Sequence, residues 1–337
     1  MKLYLAADSS LELIRYLRSV NGNDGLEGTI TRGRTLKDAM GSMHEIEELD
    51  SAAQLWLDHI SRPIHACVCD RSQQTHTQQL VTRVFSQDVP YGAFLNLGHG
   101  VCICSPFFTF MLLAKMLDTA HLLQVGMELC GTYSSYRLAP AFRLGLPHPN
   151  FDESGNYTYD LPPAMNAQLI DGFLERMKGY DGVHNATRDA RWLLNGAASP
   201  METATYLLLC LPRRLGGYGL PKPLLNPLLK VSNPDGVKKR YPDLFWPGPN
   251  IDVEYNSDAE HSGEWARYRD SRREVELTVA SVRVLPLTRP QLMDVDSFDA
   301  FAQGLRRMLG IRSRTPDAEW AFRRAELRRT LLLNAPS

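Results

Sequence analysis

Two short runs, RYPDLFW (240–246) and IDVEYN (251–256), joined by PGPN, constrain this chain more than any other stretch. In the second run Ile251, Val253 and Tyr255 alternate with Asp252, Glu254 and Asn256, the period of a half-buried strand. Asp and Asn are poor strand formers, so two acids and an amide on one strand face demand a chemical reason. If 247–250 form a four-residue hairpin loop, a common connection, the register is fixed. Trp246 then pairs with Ile251, Phe245 with Asp252, Leu244 with Val253, and Asp243 with Glu254. Like charges directly opposite are destabilising, so Asp243 and Glu254 need a compensating cation. Mg²⁺ (or Mn²⁺) suits, since Mg²⁺ is commonly held by one or two carboxylates. Lys238, Lys239 and Arg240 lie just upstream and offer the alternative of an ordinary ion pair. His261, just beyond the strand, is placed to activate a water or support a leaving group.

The surrounding order extends this hairpin. SPMETATYLLLCLPRRL reads as a helix capped by Ser199, with Pro200 at its first position. NPLLKV reads as a strand, GEWARYRDSRREVELTVA as a helix, VRVLPLT as a strand, and DSFDAFAQGLRRMLG as a closing helix. Glu202 stands three residues after Ser199, so a capping box accounts for it by hydrogen bonding alone; a role at the acidic hairpin remains open beside that. Upstream, KLYLA and IHACVCD read as strands, SSLELIRYLRSV as a capped helix, and the stretch from Ser105 as another helix with Pro106 at N1. LGLPHPNFDESGNYTYDLPP (144–163) has the composition of a linker, with two helical segments after it. At 337 residues two domains are expected: a mixed α/β domain over 1–145, a connection and helical segment over 146–198, and a C-terminal domain over 199–337.

A formal net charge of −1 argues against a chain that is basic all over, but not against a local DNA-binding face, because affinity follows clustered phosphate contacts. The last 35 residues carry eight Arg against Asp317, Glu319 and Glu326, which reads equally as a solvated helix face or a phosphate-binding one. No targeting segment is visible, and the longest apolar stretch, SPFFTFMLLAKML, falls short of a membrane span. The expectation is a cytoplasmic protein without a membrane partner. Six cysteines suggest thiols rather than disulfides. Two C-x-C pairs, Cys67/Cys69 and Cys102/Cys104, would build a four-thiolate site if their strands lay side by side, although zinc ligands usually show wider spacing.

The order α-β-β-β-α-β, with an acid on the second strand and another on the third, resembles the PD-(D/E)xK restriction-endonuclease-like superfamily. YPD and VEYN stand where that family has its PD and (D/E)xK elements. The chain is more closely similar to the very-short-patch-repair endonuclease branch, with its strand acid, turn, His, and R-D-x-x-R-x-x-x-L-x-x-x-G-x-x-V. Here that last element reads Arg269-Asp270, Arg273, Leu277, Ser281 and Val284, with Ser281 in the glycine's place. Glu202 matches a helical Glu ahead of the strands. This likeness spans residues 199 to about 290. More loosely, the whole chain is similar to abortive-infection antitoxin-type regulators, which carry a CSPFFTFMLLAKMLD-type segment before such a domain. Two departures bear on chemistry: Asn256 occupies the place of the family's lysine, and the turn NSDAEH is one residue longer.

The resemblance implies an α/β (α+β) fold: an αβββαβ domain with a mixed sheet behind a mixed α/β N-terminal domain. It implies a metal-dependent nuclease hydrolysing DNA phosphodiesters in defence or repair. Asp243 and Glu254 would hold Mg²⁺, Glu202 would assist through water, and His261 would act as base. Arg269, Arg272 or Arg273 would contact the DNA backbone, while Arg273 and Asp270 at i,i+3 also make an ordinary helix pair. The alternative is a catalytically degenerate DNA-binding or antitoxin-type regulator, with a protein partner, on the same fold. A third, unrelated reading is an enzyme built on the cysteine pairs.

Overall fold

The computed structural model describes residues 1–21, 26, 29–30, 36–135, 157–233, 236–256, 282–312 and 317–333. The chain divides into two units, Met1–Leu193 and Leu194–Ser337. Both mix helices with sheets. No helix among the described residues is long and apolar enough to cross a membrane.

The first unit contains β1 (Leu3–Leu5), α1 (Ala7–Asn21), β2 (Thr29–Ile30), α2 (Met43–Glu47), α3 (Ser51–Leu57), β3 (Ile64–Val68), β4 (Leu80–Val84), β5 (Phe94–Gly98), β6 (Val101–Cys104), α4 (Pro106–Leu113), α5 (Thr119–Cys130), α6 (Ile170–Arg176) and α7 (Val183–Ala190). Its six strands run in the order β2-β5-β6-β1-β3-β4. β1 is parallel to β6 and antiparallel to β3, and β3 is parallel to β4. Where β1 ends, Ala7 takes a left-handed φ of 45° and the chain turns directly into α1. Two serines of that turn anchor the helix to the sheet. Ser9 Oγ accepts the His65 N–H at 2.9 Å and Ser10 Oγ accepts the Cys104 N–H at 3.0 Å. α4 starts as its sequence dictates, with Ser105 Oγ accepting the Phe108 N–H and Pro106 in the first turn. It is apolar on every side, which places it inside the unit rather than on its surface.

A buried ionic knot closes α1 onto α5. Arg15 grips both oxygens of Glu128, at 2.9 and 2.6 Å. The same carboxylate accepts from the Ser134 and Ser135 hydroxyls and the Ser135 N–H. Fully buried Arg18 donates to the carbonyls of Glu128, Gly131 and Pro162. Burial alone would raise the Glu128 pKa, but the Arg15 guanidinium outweighs it and holds the carboxyl below its ordinary value.

The second unit runs α8 (Pro200–Cys210), β7 (Leu224–Leu225), β8 (Leu229–Asn233), β9 (Gly236–Arg240), β10 (Leu244–Trp246), β11 (Ile251–Asn256) and β12 (Arg283–Thr288), followed by helices Arg289–Met293, Val295–Met308 and Ala318–Arg328. Its main sheet has the order β12-β11-β10-β7, with β11 and β12 parallel and the other pairs antiparallel. Leu244, Trp246, Ile251, Val253 and Leu287 are buried and share one face by register. Trp246 Nε1–H also reaches the Pro221 carbonyl at 2.8 Å.

One strand differs from the sequence expectation. The sequence order puts NPLLKV as the strand ahead of the hairpin, yet the neighbour of β10 is the two-residue β7. The first two residues of NPLLKV, Asn226 at a φ of 45° and Pro227, which has no N–H to donate, end β7. The second half of NPLLKV instead pairs with β9 in a separate two-stranded ribbon. The helix expected over 264–280 lies outside the described residues.

Candidate functional site

The four-residue loop forms as its spacing dictates. Asn250 supplies the left-handed residue at a φ of 56°, and Trp246, Phe245 and Leu244 pair with Ile251, Asp252 and Val253. The register ends at Leu244 and Val253, and Asp243 lies just outside β10, in the bend before it. Asp243 Oδ2 accepts the Tyr255 N–H at 2.8 Å, so its carboxylate lies over the neighbouring strand rather than out in solvent. Asp252 and Glu254 fall on one face of β11 by alternation. Asp252 is 0% exposed and Glu254 8%. Asp252 was not among the candidate ligands, although the alternation that singled out Glu254 places it on the same face. Its strand neighbours there are Phe245 and Val284, an apolar setting for an acid.

Glu202 does two things at once. Its backbone N–H donates to Ser199 Oγ at 3.1 Å, and its carboxylate turns back to the Ser199 hydroxyl at 2.9 Å and the Ala198 N–H at 2.9 Å. The same Oε2 accepts from Asn226 Nδ2 at 2.6 Å. Asn226 also donates its side chain to the Gly196 carbonyl and its backbone N–H to the Asp243 carbonyl, at 3.2 Å. Glu202 is thus a helix cap that is also tied, through one amide, to the end of β10. Asn226 was missed in the sequence; its signal was an Asn-Pro pair that marks a forced turn.

His261, Arg269, Arg272 and Arg273 lie outside the described residues. Among the described residues, no three His, Cys, Asp or Glu side chains gather to hold a metal ion. Of the expected ligands, the described residues hold Asp243, Glu254 and Glu202, the last tied through Asn226 to the Asp243 backbone carbonyl. Hard oxygen donors in that number fit Mg²⁺, which keeps several waters of its own.

No family model, curated protein or solved structure matches this chain.

Two other sequence features resolve differently. The C-x-C strands do not lie side by side, because β1 runs between β3 and β6. Burial, with the Cys67 thiol beside it, pushes the Cys104 thiol well up, and burial pushes Cys130 up to about 12. Several of the C-terminal arginines are engaged within the unit, some of them in exposed helix-surface pairs. Arg306 donates to the Tyr218 carbonyl, Arg324 pairs with Asp299, Arg323 with Glu319, and Arg329 with Glu326 at 2.9 Å. Arg328 donates to the carbonyls of Leu292 and Met293, while Arg213 and Arg324 both stack on Trp320.

The β8–β9 ribbon is the more available basic element. Lys230 sits directly opposite Lys239, and both are exposed. Val237 is 65% exposed beside them. The ribbon ends at Arg240, three residues before Asp243.

Proposed function

We propose that the second unit is a nuclease-like domain that acts on DNA with a divalent metal ion. The Asp243 carboxylate reaching over to the Tyr255 N–H, beside Glu254 in the strand, is the observation that supports this reading. When bound there, Mg²⁺ or Mn²⁺ would polarise a phosphate oxygen and acidify a water. Asp243, fixed by the Tyr255 N–H, and Glu254 would supply the anchoring oxygens. Glu202 acts at one remove: through Asn226 it fixes the strand end that carries Asp243. The likeness of 199–290 to PD-(D/E)xK nucleases supports the same assignment, as does the helix, three-strand meander and parallel fourth strand. The basic ribbon is the duplex contact in this reading, since a two-stranded β-ribbon fits the major groove and its lysines neutralise phosphates.

Asn256 favours a second reading on the same site. It stands where the family has its lysine, on the strand that carries Glu254, and an amide lacks the lysine's charge for positioning a water. A degenerate regulator would then keep metal and DNA binding without hydrolysis. Incubation with nicked, linear and supercoiled DNA plus Mg²⁺ or Mn²⁺ separates the two. Metal-dependent cleavage lost in Asp243→Asn supports the nuclease; DNA binding without cleavage by the unsubstituted chain supports the regulator.

A further inference from the structure

The first unit holds a cavity of about 450 Å³ lined in part by Arg71, Arg83, Lys115, Phe85, Tyr180 and Asp181. Three cations from separate stretches meet there: Arg71 in the turn after β3, Arg83 in β4, and Lys115 just past α4. Against them stands one carboxylate in the cavity wall, Asp181, whose Oδ2 lies 2.5 Å from Lys115 Nζ. The hydrogen bond and charge of Lys115, with Arg83 further off, hold Asp181 below its ordinary value. The cavity thus keeps an excess of positive charge after its own ion pair is made. Arg83 adds a more local sign. Its Nε–H is buried and meets no acceptor among the described residues, and a terminal nitrogen rests on Met116 Sδ at 2.7 Å. That Nε–H is turned away from the open space, so it is the terminal nitrogens that a ligand in the cavity would meet. Guanidinium groups meet phosphate oxygens through paired N–H donors, whereas a thioether is a weak acceptor. The same wall carries an aromatic pair, Phe85 and Tyr180, stacked at 5.9 Å and 29°.

We propose that this cavity binds a nucleoside phosphate. The phosphate lies against Arg71, Arg83 and Lys115, and the base lies along the Phe85–Tyr180 wall. The volume falls within the range of small-ligand pockets, roughly 300–1,000 Å³. This site is independent of the carboxylate sheet and does not rest on the nuclease reading.

Isothermal titration of the full chain with AMP, ADP, adenosine and inorganic phosphate tests it. AMP and ADP bind; adenosine binds at least about tenfold more weakly, because it lacks the charge-assisted contacts. Inorganic phosphate binds more weakly than AMP and competes with it. Arg83→Gln and the exposed Lys115→Gln each weaken AMP binding about tenfold, and raised salt weakens it further. Asp181→Asn tightens it, since a carboxylate beside the phosphate is removed. Lys115→Gln keeps its fold, by circular dichroism, so it guards against a misfolded Arg83 variant. No binding of AMP or ADP overturns the proposal, as does adenosine binding as tightly as AMP or AMP affinity unchanged in Lys115→Gln. Binding of a single-stranded oligonucleotide but not of mononucleotides also overturns it.

Discussion

Asp243 Oδ2 accepts the backbone N–H of Tyr255 at 2.8 Å, across the two strands whose other residues are already paired in register. A carboxylate engaged in this way is held in place before any ligand arrives, and one of its oxygens is already oriented. Preorganisation of this kind is what a metal anchor needs. It also gives Asp243 a structural duty, so its substitutions must be read for stability and for ligand response together.

Glu202 offers a first expectation. Its Oε2 serves both the Ala198 N–H and Asn226 Nδ2. Glu202→Gln should destabilise the second unit by about 1–3 kcal/mol, the usual range for charged hydrogen bonds lost at a partly buried cap. Asn226→Ala should cost a similar amount and should also lower metal affinity, because it loosens the end of β10. Urea denaturation with a metal titration on each variant measures both. An Asn226→Ala chain that is destabilised but binds metal unchanged would show that Glu202 serves only its helix.

The basic ribbon predicts a split in sign. Lys230 and Lys239 face each other, a destabilising pair in the free protein. Lys239→Glu replaces repulsion with attraction and should stabilise the ribbon by roughly 0.2–1 kcal/mol. It should also weaken duplex DNA binding and lower the slope of log K against log salt. Thermal melts and salt-dependent binding isotherms check the two halves. Unchanged DNA affinity would assign these lysines to solubility alone.

Much of this hairpin was legible beforehand, for a physical reason: a two-residue period and a four-residue loop fix register without help from the rest of the fold. Ser105 with Pro106 and Ser199 with Pro200 were legible likewise, because caps are local chemistry. NPLLKV does contain a strand, β8, but its apolar residues suit any sheet, and Asn226 and Pro227 keep it from the place beside β10. The separation of the C-x-C strands by β1 depends on sheet order, which spacing along the chain does not encode. The Glu202–Asn226 link was likewise hidden, since it joins residues 24 apart through a turn.

The Arg15–Glu128 pair predicts an acid-labile first unit. Glu128 has its folded-state pKa lowered below its ordinary value of 4.5. A lowered carboxylate contributes stability that is fully present above the ordinary value and is lost as pH falls through the folded one. Unfolding monitored between neutral pH and pH 2 should therefore show a loss beginning near 4.5 and continuing below it. Glu128→Gln, which leaves Arg15 unpaired, should cost about 3–5 kcal/mol at neutral pH and remove part of that acid dependence. An unchanged acid profile in that variant would assign the lability elsewhere.

The cysteines give a chemical expectation. Cys69 is half-buried and the other five are buried. A thiol reagent should modify Cys69 first in the native protein, with the remaining thiols reacting only on unfolding. Rapid native modification of Cys67, Cys102 or Cys104 would contradict the burial described for β3 and β6.

The most direct measurement is a thermal-stability titration with Mg²⁺ and Mn²⁺ on the unsubstituted chain and on Asp243→Asn. A cation held by Asp243 and Glu254 stabilises the folded state by linkage, about 2.7 kcal/mol at a hundred times its dissociation constant. The expected result is a saturable rise in melting temperature that Asp243→Asn removes and Glu254→Gln diminishes. A melting temperature indifferent to either metal, with Asp243→Asn merely destabilising, would contradict the account and leave the two acids as structural hydrogen-bond partners.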